Sequence, residues 1–295
     1  MTPQDRDREL QRPAHAAGTL RVGDYTVHRL GYGAMRLSGK GIWGDPADRM
    51  AAMQVLRRAV ELGVDFIDTA DAYGPETNET LIADALHPYP AGLVIATKGG
   101  LVRPGPSDWE RDGRPEHLRA ACEASLTRLR ADCIDLYQLH APDPAVPIED
   151  SLGELARLKA EGKIRHVGVS NFDVEQLERG LQVVEIVSVQ NRYNVEDRSS
   201  QAVLDWCERR GVAFIPWFPL GAGDHTASGA AGRAIEHLAA LAKRHDATLA
   251  QAAIAWLLAK SPVMLPIPGT SSIEHLEENV AAASIAIDQG ELRAI

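Results

Sequence analysis

Cysteine is scarce, with three residues, Cys122, Cys133 and Cys207, among 295. None lies in a CxxC pair or a His/Cys cluster, and an odd count completes no disulfide framework, so neither a disulfide scaffold nor a metal centre is expected. The three read as free thiols in a reducing cytoplasm. Long hydrophobic runs are missing too: no stretch reaches the ~18 apolar residues of a membrane helix. The opening MTPQDRDRELQRPAHAAG has no apolar segment of the secretory kind, and residues 1–18 are expected to be a disordered leader. Positive charge is in deficit, with 31 Lys and Arg against 41 Asp and Glu, a formal charge of −10. The signs are interspersed, which argues against nucleic acid or an anionic membrane as a partner. Finally, no GxGxxG follows any apolar run; GYGAM (31–35) holds only GxG, which counts against a doubly wound open sheet.

What is present is ordinary globular composition, 45% hydrophobic and 24% charged, arranged in a regular alternation. Short apolar runs recur as DFIDTA (65–70), LVIATK (93–98), IDLYQLH (134–140), IRHVGVS (164–170), IVSVQN (186–191), AFIPWF (213–218) and VMLPIP (263–268), with RLGYGAM (29–35) a weaker first member. Near-continuous apolar runs suit strands buried on both faces. Amphipathic segments lie between them: Met53, Leu56 and Val60 keep helical spacing, as do Leu152, Leu155 and Leu158. Asp45-Pro46 reads as a helix start, Ser271 and Glu274 have capping-box spacing, and Gly63, Gly162 and Gly211 read as helix ends. Strand–helix units in series imply parallel strands with right-handed crossovers, and eight of them match a (β/α)8 TIM barrel, a fold of about 250 residues. Residues 18–31 read as a β-hairpin leading into it, 231–246 as an extra helix, and no linker divides residues 19–295.

In such a barrel the reactive groups sit where strands end. Asp68 and Tyr73 follow the second strand, Lys98 ends the third, His140 the fourth, Ser170 and Asn171 the fifth, Gln190 and Asn191 the sixth, Trp217 the seventh. Taken singly, a lysine there is a solvated strand end, a histidine a structural hydrogen-bonding group, and Asp68 with Lys98 a structural ion pair. Together they make one chemistry. A phenol titrates near 10, and an adjacent ammonium is expected to lower that value. Asp68 would keep the ammonium charged, and a neutral imidazole at His140 would orient a carbonyl oxygen. That describes a proton donor facing a carbonyl, without a nucleophile or metal, so the electrons must come from a cofactor.

DFIDTADAYG, VIATKGG, DLYQLHAPD, GVSNF, SVQNRYN and IPGTSSIEHLEENV, in this order and spacing, resemble the aldo-keto reductases. The resemblance runs from about residue 20 to the C-terminus. It implies a catalytic tetrad of Asp68, Tyr73, Lys98 and His140 with Tyr73 the general acid, and NADPH bound across the barrel mouth. It implies that Ser170, Asn171 and Gln190 hold the nicotinamide carboxamide and that Trp217 stacks on its ring. Further cofactor contacts fall on Gly33, Ala34 and Met35, on Asp68, on Phe218, Pro219, Leu220 and Gly221, and on Ile267, Gly269, Thr270, Ser271 and His275, with Glu278 and Asn279 on the adenine side. Asp71 matches no such role and reads as a polar loop residue.

The family's usual lysine after IP and its arginine six residues later are here Gly269 and His275. NADPH is therefore expected to be preferred by a smaller margin than usual, held by hydroxyls and a helix N-terminus. For the substrate, Trp43, Trp109 and Phe218 are candidate apolar contacts beside Tyr73 and His140, on loops 38–44, 100–113 and 220–229. The pattern MRLSGKGIWG with DTADAYGP is similar to the bacterial branch that includes pyridoxal reductases, so pyridoxal leads among aldehydes and ketones. The alternative is an NADPH-binding regulatory subunit with little turnover, disfavoured by the short segment ahead of the barrel. Oligomeric state and preferred reaction direction are not legible.

Overall fold

Alternation inside each apolar run decides which side chains face inward. The computed structural model describes residues 12–221 and 229–295. It opens with an antiparallel hairpin, β1 (Thr19–Val22) and β2 (Tyr25–His28), then β3 (Tyr32–Gly33), β4 (Phe66–Asp68) and β5 (Val94–Gly99). A small antiparallel pair follows, β6 (Leu101–Val102) with β7 (Glu110–Arg111), and then β8 (Ile134–Leu139), β9 (Ile164–Ser170), β10 (Ile186–Arg192) and β11 (Ala213–Trp217). Strands β3, β4, β5, β8, β9, β10 and β11 form one parallel sheet in chain order, with helices between most successive strands.

The inner face collects Phe66, Val94, Ala96, Leu136, Ala213 and Ile215, joined by Val22 and Val27 of the hairpin. The intervening residues Ile67, Ile95, Tyr137, Leu139, Val167, Val169, Val189 and Phe214 belong to the larger core that includes the helices. This period of two is the reason both faces read as apolar.

The expected eighth strand, 263–268, differs from the rest. Pro266 and Pro268 lack an N–H, so no regular ladder forms. The segment is still bonded on both sides: Phe214 N donates to Val263 O and Leu265 N to Phe214 O, both at 2.8 Å, and Gly31 N donates to Pro266 O at 3.0 Å.

Several sequence expectations shift. Residues 1–18 are not wholly a leader: Pro13–Ala17 form a 3-10 turn with Ala14 and Ala17 buried, and the His15 ring stacks on His28. Residues 1–11 lie outside the described residues, as does most of loop 220–229. The first long helix, Arg49–Glu61, is capped by Asp48, whose side chain accepts from Ala51 N, while Asp45 pairs with Arg49 at 2.6 Å. The helix Ile273–Ala281 is capped by Ser272 through His275 N, one residue later than the Ser271–Glu274 spacing suggested. Gly63, Gly162 and Gly211 all take positive φ after helices, as a C-terminal glycine should. All three cysteines are free. Among the described residues no helix is long and apolar enough to cross a membrane.

Candidate active site

Strand register brings the polar ends together. Gly33 pairs with Asp68, Asp68 with Ala96, Lys98 with Gln138, Ser170 with Gln190, and Arg192 with Trp217. Asp68, Lys98, Gln138 and Trp217 keep the parity of the inward apolar positions below them, and Ser170 and Gln190 keep that of Gly168 and Ser188, which face Gln138 on the same side. The inner column thus changes from apolar to polar within one strand step.

At its centre Lys98 is fully buried. Its Nζ donates to Asp68 Oδ2 at 2.7 Å, to Thr69 O at 2.8 Å and to Tyr73 Oη at 3.4 Å. Burial opposes the ammonium, but Asp68 and Tyr73 more than offset it and hold the lysine above its usual value. The other carboxylate oxygen, Asp68 Oδ1, accepts from Gln190 Nε2 at 2.8 Å and Gln138 Nε2 at 3.1 Å. Asp68 is therefore fixed from both sides, and the charge it presents to Lys98 cannot turn away.

Tyr73 arrives from the turn after β4, where its N–H donates to Ala70 O at 3.2 Å. Gly74 takes φ +86°, and a Cβ there would meet Thr77 Oγ1 at 1.9 Å, so the turn needs glycine. The expected lowering of the phenol's pKa does not appear. Burial raises it, Lys98 opposes, and the net result lies above the ordinary tyrosine value. Lys98 limits the rise rather than producing phenolate, and Tyr73 stays protonated at neutral pH. The His140 ring stands edge-on to Tyr73, with centroids 5.7 Å apart. Burial, then the Lys98 charge, pushes His140 well below the usual histidine range, so the imidazole is neutral. Its Nδ1 has no hydrogen-bond partner among the described residues.

These groups open onto a cleft of about 570 Å³. Of the expected contacts, Gly33, Met35, Asp68, Tyr73, Trp109, His140, Ser170, Asn171, Gln190, Trp217, Phe218, Pro219, Leu220, Gly221, Ile267 and Gly269 line it. Ala34 is buried, and its carbonyl accepts from Asn78 Nδ2. Thr270, Ser271, His275, Glu278, Asn279 and Trp43 are not among the lining residues. Thr270 O accepts from the Tyr32 phenol, Glu278 accepts from Thr248 Oγ1, and Asn279 is buried. Asp71 is more than a polar loop residue: its Oδ1 is buried with no hydrogen-bond partner among the described residues, and burial followed by the Glu79 charge pushes its carboxyl well above the usual range. Asn171 takes φ +62° and is fully engaged, with Nδ2 donating to His140 O at 3.0 Å and Oδ1 accepting from Trp217 Nε1 at 3.0 Å. It therefore aims the indole, which makes a flat wall beside Tyr73's mouth. Gln190 donates one N–H to Asp68, and no hydrogen bond among the described residues reaches its carbonyl oxygen, which leaves that acceptor for a ligand.

A model of the aldo/keto reductase family matches residues 29–295. The chain belongs to the aldo/keto reductase family. It is 50% identical over 274 residues to an uncharacterized oxidoreductase of Schizosaccharomyces pombe, covering 93% of this chain and 87% of that one. It is 39% identical over 281 residues to the pyridoxine 4-dehydrogenase of Escherichia coli K12, covering 93% and 96%. A crystal structure of an aldo/keto reductase from Klebsiella pneumoniae in complex with NADP and acetate superposes with TM-score 0.77 at 28% identity, covering 93% of each chain.

Arg36 and Leu101 of the cleft lining escaped the sequence reading, as did two residues that support this aldo/keto reductase site. Gln138 falls two residues before His140 and shares its parity, a signal that was available. Arg103 carried none. It is 8% exposed, and its guanidinium donates to the carbonyls of Gly41, Ile42, Ala72, Pro106 and Asp108, tying three loops together. It lies 3.8 Å from the Trp109 ring centroid and 5.5 Å from that of Trp43. Trp43 thus supports the wall, and Trp109 forms part of it. Arg103→Met removes the clamp and the cation–π contact. KM for an aryl aldehyde should rise about tenfold, by the equivalent of a lost stacking contact plus loosened loops, with NADPH affinity unchanged. An unchanged KM, measured under saturating cofactor, would remove Arg103 from the substrate wall.

Proposed function

We propose that the protein is a single-domain, closed (β/α)8 barrel, residues 19–295, that reduces an aldehyde or ketone to an alcohol with NADPH. The bonds from 263–268 to β11 and to Gly31 support closure. One observation supports the chemistry above all: a fully buried ammonium bonded at once to Asp68 and to the hydroxyl of Tyr73, two residues that line an open cleft. NADPH, when bound, supplies the hydride that adds to the carbonyl carbon. Tyr73 Oη gives its proton to the carbonyl oxygen as charge develops there. Lys98 stabilises the phenolate left behind, and Asp68, held by Gln138 and Gln190, keeps Lys98 charged. The neutral His140 imidazole hydrogen-bonds the carbonyl oxygen and sets its direction without competing as an acid. Solvent then reprotonates Tyr73.

The cleft suits the cofactor. Trp217 offers a ring face, and Gln190 and Ser170 offer acceptor and donor groups for a carboxamide. Thr270 Oγ1 accepts from Ser272 N, and Ser272 Oγ from His275 N, so each has a neutral O–H to donate to a phosphate where a lysine or arginine would bring a charge. This favours a narrow margin of NADPH over NADH. The pyridoxine 4-dehydrogenase of Escherichia coli, at 39% identity, supports pyridoxal as the leading substrate. The three free thiols favour a reducing cytoplasm. The test follows oxidation of NADPH and NADH with pyridoxal, aryl aldehydes and simple ketones. We expect turnover, fastest with NADPH and with pyridoxal. NADPH binding without turnover of any carbonyl would reject a reductase and favour a regulatory subunit.

A further inference from the structure

We propose that Arg36 binds a phosphate of the nicotinamide dinucleotide, from the 3-10 turn after β3, beside a backbone position that has no room for a side chain. The inference rests on the reading of the cleft as a dinucleotide site. Arg36 lies in the turn Ala34–Leu37 and lines the same cleft as Tyr73 and His140. Other arginines around the mouth are engaged: Arg103 on carbonyls, Arg192 with Asp197 at 3.0 Å. Among the described residues, no hydrogen bond or ion pair reaches Arg36. A guanidinium on a cleft wall with unused donors is a ready partner for an anionic oxygen pair.

Gly269 explains why the cation comes from Arg36. A Cβ on Gly269 would fall 2.4 Å from Gly33 O, and one on Gly33 would fall 2.7 Å from Ile267 O. These two backbones meet too closely for any side chain at either position. The same Cβ on Gly269 would lie 3.6 Å from Arg36 Cγ, so the arginine stem runs over the face of Gly269. A dinucleotide with its reactive ring at Tyr73 must lay its phosphates elsewhere along the cleft. The wall of Gly33, Arg36, Ile267 and Gly269 lies along that cleft and offers one charge unpaired among the described residues.

The test measures equilibrium binding of NADPH, NADH, 2′,5′-ADP and 5′-AMP by quenching of tryptophan fluorescence in wild type, Arg36→Met and Arg36→Lys. Arg36 is exposed, so neither variant should change the melting temperature. Arg36→Met should weaken NADPH about 10- to 100-fold, the loss expected for charge-assisted bonds, with Arg36→Lys intermediate. Loss confined to NADPH and 2′,5′-ADP assigns the 2′-phosphate; equal loss of NADPH and NADH assigns the diphosphate. Either supports the proposal. Unchanged dinucleotide affinity in Arg36→Met overturns it, including the case where only KM for a phosphorylated aldehyde rises. Wild-type protein that binds neither dinucleotide would instead remove the cofactor reading.

Discussion

Replacing Tyr73 with phenylalanine should lower kcat for carbonyl reduction by about 10²- to 10⁴-fold, the usual contribution of a positioned general acid. The change deletes one oxygen. The ring keeps its edge-on contact with His140, and Lys98 keeps Asp68 and Thr69 O, so fold and NADPH affinity should hold. The pH profile adds a second readout. Because burial raises the phenol and Lys98 only moderates it, wild-type reduction should fall only as pH climbs past the ordinary tyrosine range of about 10. Because burial and Lys98 hold His140 neutral, no break should occur between about pH 6 and 8. In Tyr73→Phe the alkaline fall should vanish from the residual rate. A variant within tenfold of wild type on a reactive aldehyde would show that another group delivers the proton.

Lys98→Met should abolish measurable turnover and, unlike the tyrosine change, cost stability. It leaves the Asp68 carboxylate buried with no counter-charge. Removing one member of a buried pair costs about 3–5 kcal/mol, which for a chain this size lowers Tm by about 5–8 °C. The double variant Asp68→Asn with Lys98→Met removes both charges, and the Asn oxygen can still accept from Gln138 and Gln190. It should recover most of the lost stability and none of the activity. Thermal melts with a steady-state assay separate the two effects. A Lys98→Met protein as stable as wild type would mean that the lysine is not held there by charge.

The runs from 65 to 218 were legible because a strand buried on both faces is apolar throughout, and each run stops where the polar end begins. Their parity was legible as well, and it would have pointed to Gln138 had it been followed one step below His140. VMLPIP reads as a strand by hydrophobicity, yet its prolines leave it only scattered bonds. Asp45 and Ser271 were plausible caps, and the real ones, Asp48 and Ser272, lie within three residues. Such a shift is beyond pattern, since several neighbouring acceptors compete for the same N–H groups. Arg103 and Arg36 could not be found, because loop residues obey no period.

Local pattern alone settled the alternation of strand and helix, the inward parity, and the types of side chain at each strand end, since these follow from neighbours a few positions apart. Folding alone decided that Lys98 loses all contact with water, that two glutamines share one oxygen of Asp68, that Tyr73 is raised rather than lowered, and that Gly269 admits no side chain. Each of these depends on atoms from segments 30 to more than 200 positions away. Desolvation and backbone collision are properties of the surrounding volume, and no short window of sequence contains that volume.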